Sequence, residues 1–454
     1  MENPSQTRLG TAPIGKLILQ LSLPSVAAQL INVLYNIVDR IYIGHIEGIG
    51  DLALTGVGIT FPIITLVSAF SSFAGAGGAP LAAIRLGAKD KDGAEKILGN
   101  STFLLLCFSF VLTIFFQLFK TPLLMAFGAS ENIIGYGESY LGIYLWGTLF
   151  VQLALGLNTF ISAQGNAKVA MLSVVIGAVI NILLDPVFIF VFNMGVEGAA
   201  LATILSQLVS AVWVLAFLCS KRSAIQLQLQ AMRPKIKIIG RIAALGISPF
   251  VMMATESLVS ITLNSSLQRY GGDLHVGVMT ILTSIMQLVV VPISGFAQGC
   301  QPIISYNFGA RQFDRVKTTF RRVILITFCI STCCCLVTVA FPQVFVGMFT
   351  DKQELFQLTC QKMPIYLGGM WAFGAQLGCQ NTFMGLGQAK ISLFLAALRK
   401  IILLIPLALA LPLFFQVDGV YLAEPIADIT AAAVTLVVFL LNYRKILEKG
   451  PQTL

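Results

Sequence analysis

Charged side chains are scarce in this chain. Asp, Glu, Lys and Arg make up 11% of its 454 residues and hydrophobic residues 57%, whereas a soluble globular protein carries roughly 25% charged residues. That shortage excludes a water-soluble fold and points to a membrane protein. Histidine is scarcer still. His45 and His275 are the only two, too few for a Ser-His-Asp set, a metalloprotease helix or a histidine-rich zinc site. The nine cysteines show no C-x-x-C spacing. Cys333, Cys334 and Cys335 are consecutive and cannot all face one metal, so they read as small packing residues. No G-x-x-x-x-G-K-[ST] loop occurs, which removes the commonest nucleotide-driven energy source. An enzyme is therefore not expected, and neither is a bound cofactor.

Long apolar runs are what the chain has instead. They follow one another from residue 14 to residue 446, and about 20 apolar residues suffice to cross a hydrocarbon core of roughly 30 Å. The pattern predicts an all-α membrane protein of twelve transmembrane helices, at 14–43, 52–84, 97–119, 133–162, 169–192, 196–220, 238–268, 274–306, 323–346, 355–385, 391–415 and 419–443. An even number of spans places both termini on one side. Lys and Arg crowd the loops of that side, as in 85–96, 221–241, 311–322 and 444–449. The opposite loops hold only Lys120, Arg269, Lys352 and Lys362, with Arg40 near that face. Positive charge marks the cytoplasmic side, so both termini are expected in the cytoplasm. The net charge of +9 reads as this topology signal plus attraction to the lipid bilayer's anionic headgroups, with no nucleic-acid partner. The opening MENPSQTRLGTAPIGK has no signal-peptide pattern, and the first helix is expected to direct its own insertion.

The chain repeats itself. Displaced by 222 residues, Asp51-Leu52 falls on Asp273-Leu274, Gly77 on Gly299, Pro80 on Pro302 and Gly165-Asn166-Ala167-Lys168 on Gly387-Gln388-Ala389-Lys390. Val196-Glu197-Gly198 falls on Val417-Asp418-Gly419 at 221. Two homologous six-helix lobes follow, 1–220 and 238–454, joined by a basic cytoplasmic linker at 221–237. Six is even, so both lobes enter the membrane from the same side and are related by a pseudo-two-fold axis along its normal. A cavity between two such lobes suits a transporter, and an ion gradient is the energy source left.

Charge inside a membrane costs roughly 2.5 to 3.5 kcal/mol per residue on insertion scales. The residues that carry that cost are Asp39, Asp185, Glu256, Arg399, Lys400, Glu424 and Asp428. Asn181 precedes Asp185 by four residues and shares its helix face. Pro186 has no N–H, which frees the carbonyl of Ile182. Carboxylate, amide and carbonyl oxygens thus gather at one depth, a set suited to a proton or a small hard cation. Asp39 comes at a similar depth in the first span, and two carboxylates brought together out of water hold a proton more tightly than either does alone. The repeat sets Asp39 against Asn264 and Asp185 against Leu407, so this acidic pair belongs to the first lobe only. Glu256 could attract a cationic substrate or host a second cation, or stand as a protonated structural acid. Arg399 and Asp428, on antiparallel neighbouring helices, read as a structural salt bridge.

These residues resemble the multidrug and toxic compound extrusion family, in particular its MepA-like bacterial branch. The resemblance rests on VDRIYIG, GNAKVAML, NILLDPVFIF, VEGAALAT, GCQPIISYNFGA and the LRK…IP pattern, in that order along the whole chain. It implies export of amphipathic cationic small molecules from a bacterial cell membrane against inward H⁺ or Na⁺, by a monomer. It also implies an ion site in the first lobe. Asp39, Asn181, Asp185 and Thr203 match its coupling residues, with Asn158 nearby, and Na⁺ at Asp39 and Asp185 is the one metal it allows. Pro24 matches the proline about which the first helix is proposed to bend. Glu256 resembles the acid of the second lobe's cation site and, with Tyr35 and Asn36, is a candidate for substrate binding. The tenth span, LGGMWAFGAQLGCQN, lacks the aspartate that some members pair with that acid, so a second-lobe Na⁺ site is not expected. A lipid-linked saccharide flippase of a related family is the alternative.

Overall fold

In lipid every backbone N–H and C=O must be satisfied within the protein, which leaves an apolar chain the helix as its building unit. The computed structural model describes residues 4–127, 129–350 and 352–451, and among them there are helices and no strand. Ten helices are long and apolar enough to cross a membrane, and one bent pair makes an eleventh. In the first half they are α1 (Ile14–Gly44), α2 (Leu52–Gly87), α3 (Lys91–Ala126), α4 (Ile134–Trp146 and Thr148–Ala163, bent by 59°), α5 (Ala167–Val191) and α6 (Gly195–Cys219). The second half holds α7 (Ile236–Gly272), α8 (Leu274–Gly309), α9 (Phe313–Ala340), α11 (Ala389–Ala410) and α12 (Pro412–Lys449). Between α9 and α11 lies α10, in two pieces, Gln353–Leu367 and Met370–Gly385. Counted with α10, the described residues hold twelve successive helical segments, the number that the sequence predicts.

Two differences from the sequence pattern have physical causes. The spans expected at 133–162 and 355–385 are each broken, at Gly147 and at Gly368-Gly369. Hydropathy does not register a glycine break inside an apolar run. The ninth span, expected at 323–346, begins at Phe313, because the helix carries Arg315, Arg321 and Arg322 beyond the apolar stretch.

The repeat is also written into the backbone. Lys89 (φ 62°) corresponds to Arg311 (φ 57°), Gly165 (φ 85°) to Gly387 (φ 70°) and Gly195 (φ 56°) to Gln416 (φ 50°). Left-handed backbone is costly for residues with a Cβ, so three such turns recurring at equivalent places mark one architecture used twice. The α4 and α10 breaks correspond as well, since Gly147 lies opposite Gly369.

The halves meet toward the end that carries both termini. A Cβ on Gly77 of α2 would lie 2.5 Å from the Ile242 carbonyl oxygen of α7, and one on Gly246 of α7 would lie 1.9 Å from the Phe73 carbonyl oxygen. Small residues let membrane helices approach this closely. Gln29 Nε2 on α1 donates to Gln298 Oε1 on α8 at 3.2 Å. Leu9, buried in the short helix Pro4–Thr11, has its carbonyl held by Asn307 Nδ2 and Arg315 Nη2, both at 3.1 Å. The segment between the halves is docked on the first. Gln164 Oε1 accepts from the Ala224 N–H at 2.7 Å, Glu95 from the Gln226 N–H at 3.0 Å and Asn100 Oδ1 from the Lys235 N–H at 2.7 Å.

Candidate cation-coupling site

α1 presents three faces. Leu30, Leu34, Ile37 and Ile41 form an exposed apolar ridge, as a lipid-facing surface requires. Asn36 lies on the other side, exposed, with its amide donating to the Asn32 carbonyl at 2.6 Å, and seven residues after Gln29 it falls on the same side of the helix as that residue. The third face carries Tyr35 and Asp39 against α5, and Asp39 is buried. The adjacent Arg40 lies with its guanidinium 4.2 Å from the ring centroid of Phe61.

Asn181 and Asp185 are buried on α5, and Asn181 Nδ2 donates to Asp185 Oδ1 at 3.2 Å. Directly after Pro186 the helix widens into a π turn, Val187–Val191, the kind of irregularity that often accompanies functional sites. Asp185 and Tyr35 both lie within electrostatic reach of Asp39. Thr203, buried on α6, donates to the Ala199 carbonyl at 3.0 Å and lies beside Tyr140. Asn158 of α4 sits deeper, its amide donating to the Ala170 carbonyl at 3.1 Å. With Asn32, Tyr35, Ser173, Ser206 and Ser210 it lines a cavity of about 30 Å³, large enough for a water molecule.

Four buried oxygens of this group accept no hydrogen bond from the described residues: Asp39 Oδ1, Asn181 Oδ1, Asp185 Oδ2 and Asn158 Oδ1. Buried polar atoms in native proteins are nearly always paired, and an orphaned one costs about 1–3 kcal/mol. The oxygens of Asp39, Asn181 and Asp185 together therefore ask for a proton or a cation, while Asn158, bonded at Ala170 fifteen residues before Asp185 on α5, borders the separate water-sized cavity. Among the described residues no three His, Cys, Asp or Glu side chains group as a transition-metal site would require.

The second half is arranged differently. A π turn at Leu398–Leu404 in α11 carries Arg399 and Lys400, both buried. Arg399 is held by Asp428 at 2.5 Å and by Glu424 at 2.8 Å, its guanidinium 4.6 Å from the Phe373 ring centroid. Lys400 Nζ donates to the Met252 carbonyl at 2.8 Å and forms an ion pair with Glu256. Glu256 is 62% exposed and Lys400 7%.

Between the halves lies a cavity of about 290 Å³, bordered by α1, α2, α4, α7, α8 and α10 and lined in part by Ser72, Met252, Met253, Gln298, Gln380 and Asn381. Its six walls are three helices and their three repeats. Compared with known families, the chain matches the MatE model twice, over residues 24–187 and again over 249–410. The chain belongs to the MatE family. It is 24% identical over 434 residues to the multidrug export protein MepA of Staphylococcus aureus strain MSSA476, which spans 95% of each chain. It superposes on a crystal structure of MATE in the bent conformation with a TM-score of 0.91, at 26% identity over 99% of both chains. A structure of MATE in the straight conformation gives 0.90, at 26% identity over 99% of this chain and all of the other.

Within this MatE chain, two site residues and one pairing escape sequence reading. Tyr140 and Tyr144 of α4, ring centroids 6.2 Å apart, are buried, and Tyr140 lies in electrostatic contact with Asp39. Two tyrosines four residues apart in an apolar run, as in YLGIY, were the available signal. Lys400 as the partner of Glu256 had none, because it depends on how α11 registers against α7.

Proposed function

We propose that the chain is a secondary active exporter that moves amphipathic organic cations out of a bacterial cell against inward H⁺ or Na⁺. The observation that carries this reading is the set of three orphaned oxygens on Asp39, Asn181 and Asp185, between α1 and α5. With the site empty, Asp39 and Asp185 are charged and their oxygens unmet. When a proton or small cation arrives, it satisfies them and removes the repulsion between the two acids. α1 carries Asp39 on one face and Asn36 and Gln29 on the cavity face, so a change at the ion site reaches the cargo path through one helix, with Pro24 as its hinge. Moving one charge across the membrane supplies about 2.3 kcal/mol per 100 mV.

The MepA relative, named a multidrug export protein, aligns over 95% of both chains, which supports drug efflux as the task. The cavity lining, with its Ser, Met, Gln and Asn side chains and no Lys or Arg, suits an apolar cation and offers no counter-charge to the pyrophosphate of a lipid-linked saccharide. The chain works as a monomer in the cell membrane, with both termini in the cytoplasm. Ethidium export from cells expressing the protein tests the reading. Asp39→Asn and Asp185→Asn should each abolish export while leaving the protein in the membrane, and full export by both variants would remove the mechanism. The same assay in vesicles, under a pH gradient and separately under a Na⁺ gradient, assigns the ion.

A further inference from the structure

Glu256, Ser260 and Asn264 are exposed and four residues apart on α7, so they form one polar stripe on a single helix face. Glu256 alone carries charge there, and that charge is already answered by Lys400. Lys400 and Met252 border one small pocket together with Gln380, and Met252 and Gln380 also line the cavity between the halves. The ion pair therefore lies one turn of α7 beyond the cavity-lining Met252 and Met253, its acid open and its ammonium buried behind.

We infer that Lys400 is a tethered cation that occupies the second lobe's acidic site and that a cationic cargo competes with it for Glu256. The inference rests on the reading that the cargo is an organic cation, and it concerns how that cargo is selected. An inorganic ion must displace an ammonium held permanently at the carboxylate and gains no apolar contact in return. A lipophilic cation displaces it while burying its body against Met252 and Met253. Lys400 is not stranded when it gives up Glu256, because its bond to the Met252 carbonyl remains and it lies within electrostatic reach of Glu424. Arg399, fixed by two carboxylates, takes no part in the exchange. Lys400 thus discriminates against small ions at a modest cost to cargo affinity.

The test measures binding of tetraphenylphosphonium, and separately of radioactive Na⁺, to the full-length protein in lipid nanodiscs. Lys400→Gln keeps a donor for the Met252 carbonyl and removes the charge. It should tighten tetraphenylphosphonium binding roughly tenfold and create Na⁺ binding that Glu256→Gln in the same chain abolishes. Glu256→Gln alone should weaken tetraphenylphosphonium binding roughly tenfold, since it removes the carboxylate the cargo takes and leaves the Lys400 ammonium uncompensated beside it. That arm needs no change at Lys400, and it stands if the Lys400 variant fails to fold. Unchanged affinity in Lys400→Gln, or in Glu256→Gln alone, overturns the proposal. If the unsubstituted protein binds no organic cation, the cargo reading fails. Gain of Na⁺ binding in Lys400→Gln would still establish the tethered cation, and its absence would still refute it.

Discussion

Gly87 and Gly309 make one contact twice. A Cβ on Gly87 would lie 1.9 Å from the Tyr306 carbonyl oxygen, and a Cβ on Gly309 would lie 1.9 Å from the Ile84 carbonyl oxygen. Ile84 and Tyr306 are themselves equivalent in the repeat, so α2 and α8 cross on the pseudo-two-fold axis. The crossing lies at the end that carries the termini and closes the cavity there.

Gly309→Ala should weaken that closure. A methyl group forced into a filled contact costs about 1–3 kcal/mol, and a shift of that size changes a two-state population about 5- to 150-fold. A cysteine placed at Gln301, which lines the cavity, should then react faster with a membrane-impermeant maleimide applied from the terminus side. An unchanged labelling rate would mean that this crossing does not hold the cavity shut.

Arg399→Met should destabilise the protein by about 3–5 kcal/mol, because Glu424 and Asp428 are left as buried acids without a cation. Thermal unfolding in detergent reads the loss. Replacing Arg399, Glu424 and Asp428 together with apolar residues of similar volume should restore much of the stability, since the uncompensated charge is then gone. A triple variant no more stable than the single one would argue against that cause.

The legible parts of this molecule are those that depend on local sequence. Twelve segments and their duplication follow from apolar runs and from loops that recur at a fixed spacing. The Arg399–Asp428 contact is also within reach, because α11 and α12 are consecutive and antiparallel. The Asn181–Asp185 bond follows from four-residue spacing on one helix. What is not legible depends on how distant helices register. Lys400 meets Glu256 only through the packing of α11 on α7. Tyr140 lies near Asp39 on the piece of α4 that precedes the Gly147 break, and nothing in the hydropathy of 133–162 announces that break.

Gln164→Leu should release the segment between the two halves. The Gln164 side-chain oxygen accepts from the Ala224 N–H at 2.7 Å and from Ser223 Oγ at 3.0 Å, all of them buried. Leucine leaves the Ala224 N–H without an acceptor, at about 1–3 kcal/mol for a buried group, while Ser223 Oγ keeps the Ile225 carbonyl at 2.5 Å. Limited proteolysis should then cut within 221–235 faster than in the unsubstituted protein, while the bundle's melting temperature changes little. Equal cutting rates would show that the neighbouring anchors, Glu95 and Asn100, suffice.

Pro24→Ala should trade movement for stability. Proline cannot donate to the Gln20 carbonyl, and on either side hydroxyls bond back to the chain, Ser22 Oγ to the Ile18 carbonyl at 2.6 Å and Ser25 Oγ to the Leu21 carbonyl at 3.0 Å. Such back-bonding tends to bend helices, so one turn of α1 collects three loosening features between the ion face and the docked terminus. Alanine restores the missing bond, worth about 0.5–1.5 kcal/mol, and favours a straight α1. The expected signature is a higher melting temperature, tetraphenylphosphonium affinity within about twofold of the original, and a slower rate of ethidium export. Export at full speed with raised stability would place the bend elsewhere in α1, and lost binding would mean that Pro24 shapes the cavity rather than the motion.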